Sequence, residues 1–309
     1  MEKFVSKTLK YVAILAVVVL TFAVGAERGR AQEAPPSDPE ALRQTGIAWL
    51  DNIYYGTAPP DSAQQPVLLF VHGLGGLASD WWTDTKYHGP QDMYLLAYQA
   101  KYRTAFVTLN ENGERSPIES IWVNGNTLAK QITAIANHYG VEQVDIVAHS
   151  KGGVDAQTAL VYFGAAARVR NMFTLSAPHW GTEIADLAFE NPIGAIIAAL
   201  MGLRGPGTFT VTTTYMALYR AVTDARTEDD NVNYYWAAGT DCCPRGTGLR
   251  FIGRWLEDRF GPNDGLITVA NAQLPGDNST MLFIEDLNHD NIVLGSEVFS
   301  YIDEVARVP

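Results

Sequence analysis

The residues best suited to do chemistry lie in Val144-Asp145-Ile146-Val147-Ala148-His149-Ser150-Lys151-Gly152-Gly153, an apolar run that ends in a serine flanked by small residues. A strand that turns sharply at such a serine and runs on into a helix is a nucleophile elbow, which projects the hydroxyl at the top of a sheet. Small residues two places either side are needed because larger side chains would collide where strand and helix approach. Ala148 stands where the G-x-S-x-G pattern has its first glycine. The expected chemistry is nucleophilic attack by Ser150 on a carbonyl carbon.

Such a nucleophile needs an oxyanion site, a base and an acid. Leu68-Leu69-Phe70-Val71-His72-Gly73-Leu74-Gly75-Gly76 closes the first strong strand pattern with a Gly-rich loop. The backbone N–H groups of Leu74 and of Lys151, the residue after the nucleophile, are the natural pair to hold an oxyanion. In chain order an elbow serine is followed by Asp or Glu and then His. Only His179 and His289 follow Ser150, and His179 precedes any plausible acid, so His289 is the expected base. Gly261-Pro262-Asn263-Asp264-Gly265 places Asp264 in a tight turn between the last two core strands, where it can orient the His289 imidazole. Asp241 and Asp258 are its nearest rivals. Trp81 and Trp82, just beyond the oxyanion loop, are candidates to line a substrate pocket, with packing under a lid as the other reading. Lys151 brings a positive charge to the elbow, or is a solvated residue at a helix start.

The elements that must carry these residues are legible from Pro66 onward. Short apolar runs alternate with longer segments of helical period, which predicts a mostly parallel sheet flanked by helices. Strands are predicted at Pro66 to Val71, Thr104 to Leu109, Gln143 to Ala148, Asn171 to Ser176, Asn233 to Ala238 and Thr280 to Ile284. Helices are predicted at Asn126 to Tyr139, stopped by Gly140, at Gly152 to Phe163 and at Ser296 to Ala306. One segment, Glu183 to Asp230, is far longer than an ordinary loop and must be an insertion. Within it Pro192 to Leu203 is apolar nearly all round.

From Pro66 to Ile302 the sequence resembles the secreted bacterial true lipases of Pseudomonas, Burkholderia and Bacillus. Four motifs carry the resemblance: Val71-His72-Gly73-Leu74-Gly75, Ala148-His149-Ser150-Lys151-Gly152-Gly153, Leu175-Ser176-Ala177-Pro178-His179-Trp180-Gly181-Thr182, and Asn263-Asp264-Gly265-Leu266 followed by the His289 loop. It implies the α/β-hydrolase fold, a Ser150, Asp264, His289 triad, an oxyanion hole at Leu74 and Lys151, a lid after Thr182, and a structural His179. Many of these lipases also hold calcium near the catalytic His loop; Asp290 lies there, but the rest of the ligand set finds no match, so no cofactor is required and calcium stays open. The function expected is hydrolysis of lipid or other hydrophobic esters. Depolymerisation of a polyester by the same triad, on a flat cleft lined by Trp81 and Trp82, is the alternative, and a binding protein that has lost catalysis is the weakest reading because Ser, Asp and His are all kept in order.

The remaining composition bounds location and partners. With 309 residues, 47% hydrophobic and 18% charged, the chain suits one globular domain, taken as 46–309. Lys3, Lys7 and Lys10 precede an uncharged apolar run from Tyr11 to Ala26 and small-residue cleavage sites, so 1–31 reads as a signal peptide, 32–45 as a flexible leader, and the protein as secreted or periplasmic. Removing residues 1–31 takes away five basic and two acidic side chains, leaving 17 against 32 and a net charge of −15. That acidity argues against nucleic acid and anionic membranes as partners, and the apolar insertion makes a hydrophobic ester or lipid interface the expected one. Cys242 and Cys243 are the only cysteines, and being adjacent they cannot cross-link distant parts of the fold; a strained mutual disulfide, two free thiols or a link to another molecule are open.

Overall fold

In the computed structural model, the residues described are 37–42, 45–84, 90–110, 113, 119–190, 204–243 and 249–307. The expected signal peptide, half of the expected leader and the apolar run Pro192 to Leu203 lie outside them. Among the described residues no helix is long and apolar enough to cross a membrane.

The strands are β1 (Glu40–Ala41), β2 (Ile53–Tyr55), β3 (Val67–Val71), β4 (Arg103–Val107), β5 (Val144–His149), β6 (Val169–Leu175), β7 (Asn233–Gly239) and β8 (Ser279–Glu285). The principal helices are α1 (Met93–Gln99), α2 (Ile121–Tyr139), α3 (Lys151–Tyr162), α4 (Glu183–Glu190), α5 (Thr213–Thr223), α6 (Leu249–Phe260) and α7 (Gly295–Ala306). The strands form one sheet in the order β1-β2-β4-β3-β5-β6-β7-β8. From β4 to β8 all pairs are parallel, whereas β2 pairs antiparallel with β4 and β1 with β2. This is the α/β-hydrolase architecture that the motifs implied.

All six predicted strands are present. The antiparallel edge was not predicted, because Ile53–Tyr55 and Glu40–Ala41 are too short to show a period. Residues 40 and 41 fall in the stretch read as leader, yet pair with Tyr55 and Tyr54. Helix α2 begins five residues earlier than its apolar period suggested, because the Ser120 hydroxyl accepts from the Val123 N–H at 3.3 Å and starts the helix there. Gly140 ends it with φ of +64°.

Alternate residues of each strand point to opposite faces. On β3, Val67, Leu69 and Val71 pack with Leu128, Ile132 and Ile135 of α2 and Ala156, Ala159 and Leu160 of α3. Leu68 and Phe70 face the other layer, with Met93 and Ala97 of α1 and Val298, Phe299 and Ile302 of α7. A sheet buried on both faces is rigid, and the loops at the C-terminal ends of its parallel strands are held accordingly. The chain leaves β3 for β4 on one side and returns to β5 on the other, so the crevice at the C-terminal ends of β3 and β5 is the topological switch point where such sheets bind ligands.

The insertion between β6 and β7 is anchored rather than loose over its second half. On α5, Met216 and Tyr219 pack against Ile121 of α2 and Val154 of α3. Tyr219 and Thr158 hydroxyls lie 3.0 Å apart, Tyr162 and Thr223 hydroxyls 2.8 Å, and Trp122 Nε1 donates to the Tyr215 hydroxyl at 2.6 Å. Arg220, 1% exposed, donates to the Gln157 amide oxygen and pairs with Asp224. In the second half of the expected lid segment 183–230, α5 is thus docked on the core by buried polar contacts.

Candidate active site

Ser150 joins β5 to α3 with φ of +52° and ψ of −133°, a conformation costly for a residue with a side chain and held by its surroundings. Its N–H donates to the Leu175 carbonyl at 2.9 Å, tying the elbow to the neighbouring strand. The packing explains the small residues around it. A Cβ at Gly152 would stand 2.3 Å from the His72 carbonyl oxygen, and one at Gly153 2.5 Å from the Ala177 Cβ. Helix α3 can therefore press against the loop after β3 only with glycine there.

That loop, which includes Leu74, reaches the nucleophile because it too has a glycine. A Cβ on Gly73 would lie 2.9 Å from the Ser150 Cβ. His72 fixes the loop: its Nδ1 lies 2.6 Å from the Gly73 carbonyl and must donate, while its Nε2 accepts from the Leu109 N–H at 3.1 Å. Lys151 is the first residue of α3, so its N–H is one of those a helix cannot satisfy internally.

His289 and Asp264 arrive from loops on either side of β8. The His289 Nε2 is 3.0 Å from the Ser150 Oγ, and its Nδ1 is 2.6 Å from the Asp264 Oδ2. Asp264 is fully buried; its Oδ1 accepts from the Leu266 and Ile267 N–H groups at 2.9 and 2.8 Å, leaving Oδ2 aimed at the imidazole. The His289 N–H donates to the Asp264 carbonyl at 2.9 Å, so the two loops are joined through backbone as well. Gly239, at the end of β7, permits their approach: a Cβ there would be 2.1 Å from the Leu287 carbonyl oxygen and 3.0 Å from the Asp264 Cβ. Burial lowers the His289 pKa, but the Asp264 charge and hydrogen bond, with Asp290, outweigh it and set the group above its ordinary value of 6.5.

The other predicted residues are placed differently. Lys151 is 1% exposed, and its Nζ lies 2.6 Å from the Asp155 Oδ1, whose second oxygen accepts from Asn124 at 2.8 Å. It is neither solvated nor presented to the site; burial pushes the Asp155 carboxyl up, with Lys151 and Asn124 pulling it back. Trp81 and Trp82 do not join the site either. Trp81, 2% exposed, packs on Phe70, and Trp82 packs on Phe106 and Tyr54, all within the core layer on the α1 and α7 side of the sheet. Trp81 is a core residue and Trp82 a half-buried one packed against the core, because the short turn at Ala78–Trp81 directs them back toward β3 and β4.

His179 is fully buried beside the Thr174 hydroxyl at 3.2 Å, and burial together with Arg220 holds its pKa well below the ordinary value. Its motif serves as an anchor: the Trp180 indole donates to the Gln273 carbonyl, and the Thr182 hydroxyl to that of Leu266 at 2.7 Å, tying the insertion to the Asp264 turn. Gly239 is a site-shaping residue that no sequence motif singles out, and Gly73 and Thr182, quoted only within motifs, take their particular roles from spatial neighbours.

Cys242 and Cys243 are bonded to each other, with Cα atoms 3.7 Å apart. Among the described residues they form, with Glu257, the one cluster of three potential metal ligands, and the disulfide occupies both sulfurs. Among the described residues, no group of three His, Cys or carboxylate side chains gathers at Asp290.

Comparison with known proteins bears on the fold and the family. A PGAP1-like alpha/beta domain matches residues 61–198. The structure is similar to that of Bacillus licheniformis lipase BlEst2 in its mature form, with 30% identity and a TM-score of 0.71 over 83% of this chain and 98% of that one. Against the propeptide form of the same lipase the TM-score is 0.72 at 30% identity, and the chain spans about half of that longer protein, 54%. No curated protein sequence matches significantly. Identity of this level over nearly the whole of a solved lipase, on the same fold, means that the chain belongs to the lipase/esterase family of the α/β-hydrolase superfamily.

Proposed function

We propose that this protein hydrolyses carboxylic esters through an acyl-enzyme on Ser150. The observation that carries this reading is His289, whose two ring nitrogens lie within hydrogen-bond distance of Ser150 Oγ and Asp264 Oδ2. Asp264 accepts from Nδ1–H, which leaves the Nε2 lone pair facing the serine hydroxyl. As Oγ attacks the ester carbonyl its proton passes to Nε2, and the buried Asp264 carboxylate stabilises the imidazolium. The Leu74 and Lys151 amides hold the oxyanion. The imidazolium then protonates the departing alkoxide, leaving the acyl group on Oγ. Water attacks the acyl carbonyl, gives its proton to Nε2, and the carboxylic acid leaves as the proton returns to Ser150. None of these steps needs a cofactor.

The substrates are hydrophobic esters acting from a lipid or other apolar interface, and the protein is exported. The apolar run within the insertion and the lipase relatives support the first statement, and the Lys-rich start with its apolar run supports the second. Polyester depolymerisation loses its main support, since Trp81 is buried in the core and Trp82 packs half-buried against it. The test is a phosphonate ester probe on the purified protein, with short esters, triglyceride emulsions and polyester films assayed in parallel. Stoichiometric labelling of Ser150, lost together with turnover in Ser150→Ala, is the expected result. An active Ser150→Ala protein would end the reading.

A further inference from the structure

His149 precedes the nucleophile at the end of β5, and neither its motif nor the triad gives it a task. It is 6% exposed, and its Nε2 lies 3.1 Å from the backbone carbonyl oxygen of His289. A carbonyl only accepts, so the hydrogen must sit on the His149 Nε2 and be donated. The two imidazole rings also touch, with centroids 4.7 Å apart and planes inclined at 44°. On its other side His149 meets the oxyanion loop: a Cβ on Gly73 would stand 3.2 Å from its Nδ1. One ring thus bridges the loop after β3 and the loop that carries His289.

We propose that His149 is a positioning residue for the catalytic base, holding the His289 backbone and ring plane so that Nε2 stays on the Ser150 hydroxyl through both proton transfers. The need arises from where His289 sits. Ser150 is fixed at the end of a central strand, whereas His289 stands on a loop, and loops are the more mobile parts of a fold. Asp264 secures the His289 N–H and Nδ1 from one side. The His149 bond secures the carbonyl from the side of the nucleophile, and the ring contact limits rotation of the imidazole. Because His149 ends β5 and Ser150 follows it directly, the distance from base to nucleophile is set at the end of a single strand. A displacement of about 1 Å in such a pair can cost on the order of a hundredfold in rate.

The proposal rests on His289 as the base, and its test separates the two ideas. His149→Phe keeps a ring of similar size and removes the donor; His149→Gln restores a donor near the position of Nε2. On a short soluble ester the expected result is a kcat at least tenfold lower for His149→Phe, with KM within twofold and melting temperature within a few degrees of the parent. His149→Gln should recover to within threefold of the parent kcat. Should the Phe variant not fold, His149→Asn, whose shorter amide stops short of the His289 carbonyl, is expected to show the same loss. A folded Phe or Asn variant with parental kcat, or a Gln variant as slow as Phe, would overturn the positioning role. His289→Ala in the same assay guards the underlying reading: activity there removes His289 as base, whereas an inactive His289→Ala beside a fully active His149→Phe removes only the role of His149.

Discussion

The carbonyl oxygen of His72 lies against Gly152, so close that a Cβ on that glycine would stand 2.3 Å away. The contact is with backbone at the end of β3, which cannot swing aside as a side chain could. Gly152→Ala is therefore expected to push α3 and the β3 loop apart, moving the Lys151 and Leu74 amides relative to Ser150. The expected outcome is a kcat at least tenfold lower and a loss of roughly 1–3 kcal/mol in stability from overpacking, read by ester hydrolysis and urea unfolding. An unaffected rate would show that the elbow and the oxyanion loop are not mechanically coupled.

Removing the Asp264 charge leaves its turn in place but changes what faces His289. Asp264→Asn should lower kcat by about 10⁴, because an amide in that place favours the wrong imidazole tautomer, and His289→Ala should act on a similar scale. Circular dichroism and melting should show both variants folded. Retention of even a tenth of the parent kcat by either would contradict the assigned roles.

The pH dependence follows from the direction of the His289 shift. As a base His289 must be neutral, so activity falls as pH drops through its pKa, and that pKa lies above the ordinary 6.5 because Asp264 and Asp290 outweigh burial. The acid limb of kcat/KM is thus expected to have its midpoint above 6.5, and Asp290→Asn should move that midpoint downward. A midpoint below 6, or a rate unchanged down to pH 4, would be incompatible with this base.

Trp81 is expected to matter for stability and not for substrate binding. It is 2% exposed with its ring centroid 5.1 Å from that of Phe70. Trp81→Ala should cost about 3–5 kcal/mol in urea unfolding, while KM for a soluble ester measured well below the midpoint stays near the parent value. A large KM change in a stable variant would return Trp81 to the substrate cleft.

Lys151 offers a comparable test at the nucleophile. Lys151→Met would leave the fully enclosed Asp155 carboxylate with the Asn124 amide alone, and breaking a buried pair from one side typically costs about 3–5 kcal/mol. Lys151→Met combined with Asp155→Leu should recover much of that loss in the same unfolding assay. A single variant as stable as the parent would mean that Lys151 is solvated after all.

The sequence by itself determined the parts that depend on local rules. The Ala148 to Gly153 run, the glycines after Val71 and the Asn-Asp-Gly turn are short-range patterns, and with the chain order of Ser, acid and His they identified the three side chains that the fold unites. Six parallel strands, all but the edge strand β8 largely buried, and three helices were legible for the same reason, since strands and helices carry their period in neighbouring residues. What only the tertiary structure decided depends on partners distant in sequence. Lys151 looks like any residue at a helix start until Asp155 and Asn124 enclose it, and Trp81 and Trp82 look like cleft aromatics until the turn at Ala78–Trp81 folds them beneath β3 and β4. The docking of α5 rests on contacts between Tyr219 and Thr158 and between Arg220 and Gln157, about 60 residues apart, and His149 meets the catalytic loop because His289 returns to it 140 residues later. Burial and hydrogen bonding are properties of that assembled neighbourhood, so no window along the chain contains them.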